Sequence, residues 1–183
     1  MDETALVAAL RARERGAVDE LYRRYHERVW AFLVRLCRSR QEAEDLFQET
    51  WLAAARHAHR LEPDSQLVAW LFTIARNQHR GARRFLMFDF RKRDRVQHEP
   101  LPDAPRPDVE AEQRARARAL ATAFDALDDA HREVLVLAVI EGLSSAEVGR
   151  VLGLREDAVR KRVSRARAEL AAKMEKAEPG RRA

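Results

Sequence analysis

The residues best equipped for chemistry lie near the C-terminus, in a run of bases spaced for one helix face. At about 100° per residue, Val159, Val163, Ala166 and Leu170 gather on one side. Lys161, Ser164 and Arg165 point the opposite way, flanked by Arg160 and Arg167 on one edge and Arg162 on the other. Such a helix can pack by its apolar side and offer donors to base edges and phosphates in a major groove. A basic face on an ordinary solvated helix is the competing reading, and the residues upstream decide between the two. Ser144-Ser145-Ala146-Glu147 has the form of a capping box, with Ser144 at the cap. It opens a short helix holding Val148, Val151 and Leu152, which stops at Gly153. The acidic pair Glu156-Asp157 suits the start of the next helix. Short helix, glycine-containing turn and basic helix together form the helix-turn-helix pattern.

A second candidate surface is the stripe of Asp45, Gln48, Glu49 and Leu52, opposite Ala43, Leu46, Phe47 and Thr50. On spacing alone it reads as a solvated helix face. Enzymatic readings lack parts: the chain has no glycine-rich phosphate loop, no HExxH and no nucleophile elbow. His57 and His59 are two apart, which on a helix turns them to different sides. Asp128-Asp129 before His131 reads as helix-start chemistry and not as an acid pair. Cys37 is the single cysteine, which excludes an internal disulfide and leads to the expectation of no cysteine-based zinc site. The expectation is therefore a non-enzyme with no catalytic residue, no metal and no cofactor. Lys and Arg number 35 against 30 Asp and Glu, a net charge of +5 that suits a polyanion partner without proving one. Neither a signal-peptide core nor a run of about 18 apolar residues occurs, so a soluble cytoplasmic protein without membrane insertion is expected.

The elements that must position these surfaces are helical throughout. Leu21, Tyr25, Val29 and Phe32, widened by Leu33 and Leu36, recur at helical spacing. Ala43, Leu46, Phe47, Thr50 and Ala54 form a second stripe, and Leu67, Trp70, Leu71, Ile74 and Ala75 a third. Pro63, Asp64 and Ser65 mark the break between these two. Further on, Phe124, Leu127, Val134, Leu135 and Leu137 make a buried face up to Gly142. Pro100, Pro102, Pro105 and Pro107 fall among charged residues, and eleven of the twelve aromatics lie at or before Phe90. This predicts an all-α chain of two small helical domains, 1–90 and 114–176, joined by a Pro-rich linker, 91–113, with a tail, 177–183. The apolar segment from Phe85 to Phe90 lies between Arg83-Arg84 and Arg91-Lys92-Arg93. It should either pack against one of the blocks in the free protein or continue the third helix and bury Phe85 and Phe88.

Taken together, these segments resemble the sigma-70 family, in its compact extracytoplasmic-function group. Ala43-Glu44-Asp45-Leu46-Phe47-Gln48-Glu49-Thr50-Trp51 is similar to that family's polymerase-binding segment. Trp70-Leu71-Phe72-Thr73-Ile74-Ala75-Arg76-Asn77 with Arg83-Arg84 resembles the segment serving the −10 promoter element. In the second block, Leu127, Arg132-Glu133-Val134-Leu135, Glu141-Gly142-Leu143-Ser144, Ala146-Glu147-Val148, Leu152-Gly153 and Arg165-Ala166-Arg167 with Leu170 resemble region 4. Gly149 stands where alanine is common in the family, and Asp128 where proline is usual.

The resemblance implies a sigma factor that gives core RNA polymerase promoter recognition and DNA opening. It implies polymerase contacts from Asp45, Gln48, Glu49 and Leu52. For −10 DNA it implies His59, Arg60, Arg76, Asn77, Arg80 and Arg84, with a base-holding pocket in the loop His59 to Gln66. For −35 DNA it implies Arg160, Lys161, Ser164, Arg165 and Arg167. Many relatives are held inactive by an anti-sigma factor, which joins core polymerase and promoter DNA as an expected partner. A stand-alone repressor or a helical interaction module would need neither of the segments AEDLFQETW and WLFTIARN.

Overall fold

A computed structural model describes residues 1–88 and 111–177, and every regular element among them is helical. The linker prolines, Asp89, Phe90 and the end of the tail lie outside the described residues. Backbone contacts divide the chain into two compact units, one carrying α1–α4 and the other α5, α6, most of α7, and α8.

The first unit opens with α1, Glu3–Arg11, whose N-terminus is capped by Asp2 accepting from the Ala5 amide at 2.7 Å. Then come α2, Ala17–Leu36, α3, Arg40–His57, a 3-10 turn, Ala58–Arg60, and α4, Leu67–Phe88. Ser39 caps α3 by accepting from the Glu42 amide. The core is built from the stripes that helical spacing predicts: Leu21, Val29, Phe32, Leu33 and Leu36 from α2, Ala43, Leu46, Thr50 and Ala54 from α3, and Leu67, Leu71 and Ala75 from α4. Phe32 and Phe72 stack at 4.7 Å in its centre, and Leu6, Val7 and Leu10 of α1 are buried as well. Thr50 is accommodated because its hydroxyl donates to the Leu46 carbonyl at 2.7 Å. Trp70 is only half-buried, so it belongs to the margin of that core.

Glu3 ties three helices together. One carboxylate oxygen accepts from the Leu67 amide at 2.9 Å, supplying the acceptor that the first turn of α4 lacks, and the other accepts from the Tyr25 hydroxyl at 3.3 Å. Burial first, and then the Glu3 charge, raises the Tyr25 phenol above its usual range. Helix α4 continues as far as Phe88, while the expected burial of Phe85 and Phe88 lies outside what the described residues show.

In the second unit, α5, Ala111–Asp125, starts inside the stretch read as linker. It is followed by α6, Asp129–Leu135, a π-helical turn, Val136–Ile140, α7, Ser145–Leu152, and α8, Glu156–Ala177. Leu127, Val134, Leu135, Val136, Leu137, Leu143, Val148, Val159 and Ala166 are buried, and α8 packs on α5 and α6. Asp128 caps α6 by accepting from the His131 amide at 2.8 Å, the helix-start role expected of it. Arg132 is buried and donates from Nη2 to the carbonyls of Asp125 and Leu127, closing the α5–α6 connection.

Candidate nucleic-acid and polymerase interfaces

Local chemistry sets the helix-turn-helix. The Ser144 amide donates to Glu147 Oε2 at 2.7 Å while the Glu147 amide donates to Ser144 Oγ at 3.3 Å, a reciprocal capping box. Gly153 ends α7 at φ +68, a left-handed conformation that glycine adopts without steric penalty. The turn is tight: the Leu154 amide donates to the Gly149 carbonyl at 2.9 Å, and a Cβ on Gly149 would sit 2.6 Å from the Leu154 carbonyl oxygen.

That turn launches α8 with Val159 and Ala166 fully buried, so the opposite side faces water. Lys161, Ser164, Arg165, Arg160 and Arg167 are all exposed, and Arg162 is half-buried, as the helical wheel predicts. The five do not stand alike. Arg160 pairs with Asp157 and, at 3.5 Å, with Glu156, the carboxylates that begin its own helix. Exposed pairs of this kind are weak, about 0–1 kcal/mol, so DNA phosphates could compete for the guanidinium. Lys161, Arg162 and Arg165 line a shallow concavity with Ala158 and His131 of α6. His131 Nδ1 meets Glu169 Oε2 at 2.5 Å and Asp128 Oδ2 at 3.1 Å, anchoring α6 to α8 at the edge of the basic face.

In the first unit, Asp45, Gln48, Glu49 and Leu52 are exposed along α3, and Asp45 accepts from the Gln41 amide group at 3.0 Å. Leu52 is 50% exposed, an apolar group set among acceptors, as a contact surface requires. Beside this stripe lies an aromatic cluster that sequence reading did not single out. Tyr22 meets Trp51 edge-on at 4.8 Å and Phe47 at 6.3 Å, and Phe47 meets Trp30 at 5.7 Å. Tyr22 and Phe47 sit on α2 and α3 at positions only helix pairing brings together, although Phe47 and Trp51 are four apart and share a face.

On α4, Asn77, Arg80 and Arg84 are exposed and fall within about 60° of one another around the helix. His59, half-buried, and Arg60, exposed, occupy the 3-10 turn and precede the loop to Gln66. Arg76, within about 40° of Arg80 around the helix, differs from these three in being 8% exposed and already hydrogen-bonded.

Comparison with known proteins agrees with both units. The Sigma-70 region 2 family matches residues 21–85 and the Sigma-70 region 4 family matches residues 117–170. The RNA polymerase sigma factor CarQ of Myxococcus xanthus is 34% identical over 153 residues, covering 81% of this chain and 84% of CarQ. CnrH, solved with the cytosolic domain of CnrY, superposes with a TM-score of 0.70 at 27% identity, covering 95% of this chain and 97% of CnrH. The sigma factor RpoE, solved with the anti-sigma factor NepR from Bartonella quintana, gives a TM-score of 0.73 at 26% identity, covering 87% of this chain and 98% of RpoE. Among the described residues no helix is long and apolar enough to cross a membrane. Two family matches in the order that the motifs predict, with a relative aligned over most of both chains, place this protein in the sigma-70 family as an extracytoplasmic-function sigma factor, a factor for promoter-specific transcription initiation by RNA polymerase.

Proposed function

We propose that the two units divide the work of initiation between the stripes described above. The α3 stripe of Asp45, Gln48, Glu49 and Leu52, extended by Tyr22, Phe47 and Trp51, docks on core polymerase. Its carboxylates and amide accept hydrogen bonds from cationic groups there, and Leu52 with the aromatics supplies the apolar contact. Asn77, Arg80 and Arg84, with His59 and Arg60, meet the −10 strand, the cations neutralising phosphates and the amide pairing with a base edge. Lys161, Ser164 and Arg165 read −35 base edges, while Arg160 and Arg167 hold adjacent phosphates. The protein itself performs no catalysis and works in the cytoplasm, where polymerase and DNA are.

One observation carries this reading: each unit presents an outward polar stripe on a helix whose inner side is fully packed, at the motif positions of its family. The complexes of CnrH with CnrY and of RpoE with NepR support an anti-sigma factor as a further partner. The polymerase face is tested by pull-down of core polymerase with Asp45→Ala/Gln48→Ala, both exposed positions whose loss leaves the fold intact. Retention should fall at least about tenfold, the loss of two interfacial hydrogen bonds, with the circular dichroism spectrum unchanged. Undiminished retention would remove α3 from the interface.

A further inference from the structure

The first unit holds a cluster that the promoter-reading surfaces do not use. Cys37 ends α2, Glu42 lies in the first turn of α3 and His79 lies within α4. Cys37 and His79 are buried, at 4% and 1% exposure, and Glu42 is partly buried. The Cys37 sulfur, a Glu42 carboxylate oxygen and a His79 ring nitrogen lie within 4.8 Å of one another. Glu42 Oε2 accepts from the Arg38 amide at 2.9 Å, while its Oε1 is buried and takes no hydrogen bond from the described residues.

We propose that Cys37, Glu42 and His79 form a binding site for a divalent zinc-type ion that ties the end of α2 and the start of α3 to α4. Sulfur, imidazole and carboxylate are the three donor types zinc uses, and three protein ligands leave one tetrahedral position for a water. With zinc–donor bonds of about 2.0–2.3 Å, a tetrahedral set holds its donors roughly 3.4–3.8 Å apart. Closing the cluster from within 4.8 Å to that spacing asks the donor atoms to approach by about 1 Å.

Charge balance favours the ion. Thiolate and carboxylate together neutralise a divalent cation, and the thiol proton leaves to bulk water when the metal–sulfur bond forms. Without an ion, burial and then the Glu42 charge push the thiol pKa up, against the pull of Arg83, so the sulfur stays protonated and inert. The other mixed cluster, Asp128, His131 and Glu169, makes a weaker candidate. Asp128 is 58% exposed, and the His131 nitrogen already meets Glu169 at 2.5 Å.

The test uses the reduced, chelator-stripped full chain titrated with Co2+, read by the thiolate-to-cobalt charge-transfer absorption. The band should saturate at one equivalent and vanish on adding one equivalent of Zn2+. It should be lost in Cys37→Ser and in His79→Asn, and persist in His131→Ala. No band in the wild type, or a band unchanged by His79→Asn, would overturn the proposal, as would loss of the band in His131→Ala. Because His79 is buried and its variant could misfold, a second measurement uses the wild type alone. Saturating Zn2+ should raise the unfolding midpoint followed by tryptophan fluorescence, and an unmoved midpoint would overturn the site. Neither readout depends on polymerase or DNA, so failure here leaves the sigma assignment standing.

Discussion

Arg132→Ala should unfold the DNA-reading unit selectively. Arg132 is 3% exposed and its Nη2 reaches the carbonyls of Asp125 at 2.6 Å and Leu127 at 3.1 Å. Nη1 lies 3.8 Å from Asp129, and neither it nor Nε makes a hydrogen bond. Hydrogen bonds to a charged group contribute about 1.5–3 kcal/mol each, and burying a guanidinium with two nitrogens unbonded offsets part of that. Truncation should then destabilise the unit by about 2–4 kcal/mol, because two buried carbonyls lose their donor. A small domain holds only about 0.05–0.15 kcal/mol per residue, so this removes much of its stability.

The assay is urea unfolding with two probes. All three tryptophans, Trp30, Trp51 and Trp70, belong to the first unit, so their fluorescence is blind to the second, while far-ultraviolet circular dichroism sees both. The variant should lose part of its helical signal at lower urea with the tryptophan transition in place. Arg132→Met, which restores packing but not the donors, should recover only a minor part. A dichroism profile superimposing on wild type would refute the argument, and full recovery by methionine would show that packing, not hydrogen bonding, is what Arg132 supplies.

Gly149→Ala places a Cβ 2.6 Å from the Leu154 carbonyl oxygen, an overpacking penalty of about 1–3 kcal/mol against a helix-propensity gain of about 1. The helical midpoint of the second unit should therefore fall even though alanine is common in the family. Glu3→Ala removes the acceptor for the Leu67 amide and should lower the unfolding free energy followed by tryptophan fluorescence by about 1 kcal/mol. Arg165→Ala, at an exposed position, should shift base preference in a −35 promoter library by about 1–3 kcal/mol at one position, whereas loss of a phosphate contact would weaken all sequences alike.

Helix faces were legible because burial follows the 3.6-residue period: Leu21, Val29, Phe32 and Leu36 needed only their spacing. The capping box at Ser144 and the cap at Asp128 were legible because both are local. What escaped was set by distant partners. Helix α1 carries its own signal, Asp2 before Leu6, Val7 and Leu10, but lies outside the three stripes read from the spacing of the first block. Glu3 completing the N-terminus of α4 joins residues 64 apart, and no local pattern announces it. Arg76 and Asn77 are neighbours in sequence, yet Arg76 is buried and Asn77 exposed, a difference that no local pattern signals. A single cysteine argues in sequence against a cysteine-based zinc site, and only the packing of α2, α3 and α4 brings Glu42 and His79 to Cys37.

The central claim is tested most directly by adding the purified chain to core RNA polymerase on a genomic template and sequencing transcript 5′ ends. The account predicts a discrete set of start sites absent with core enzyme alone, sharing sequence near −10 and −35, and lost when Asp45→Ala/Gln48→Ala replaces the wild type. Transcription starts indistinguishable from those of core enzyme alone would contradict it.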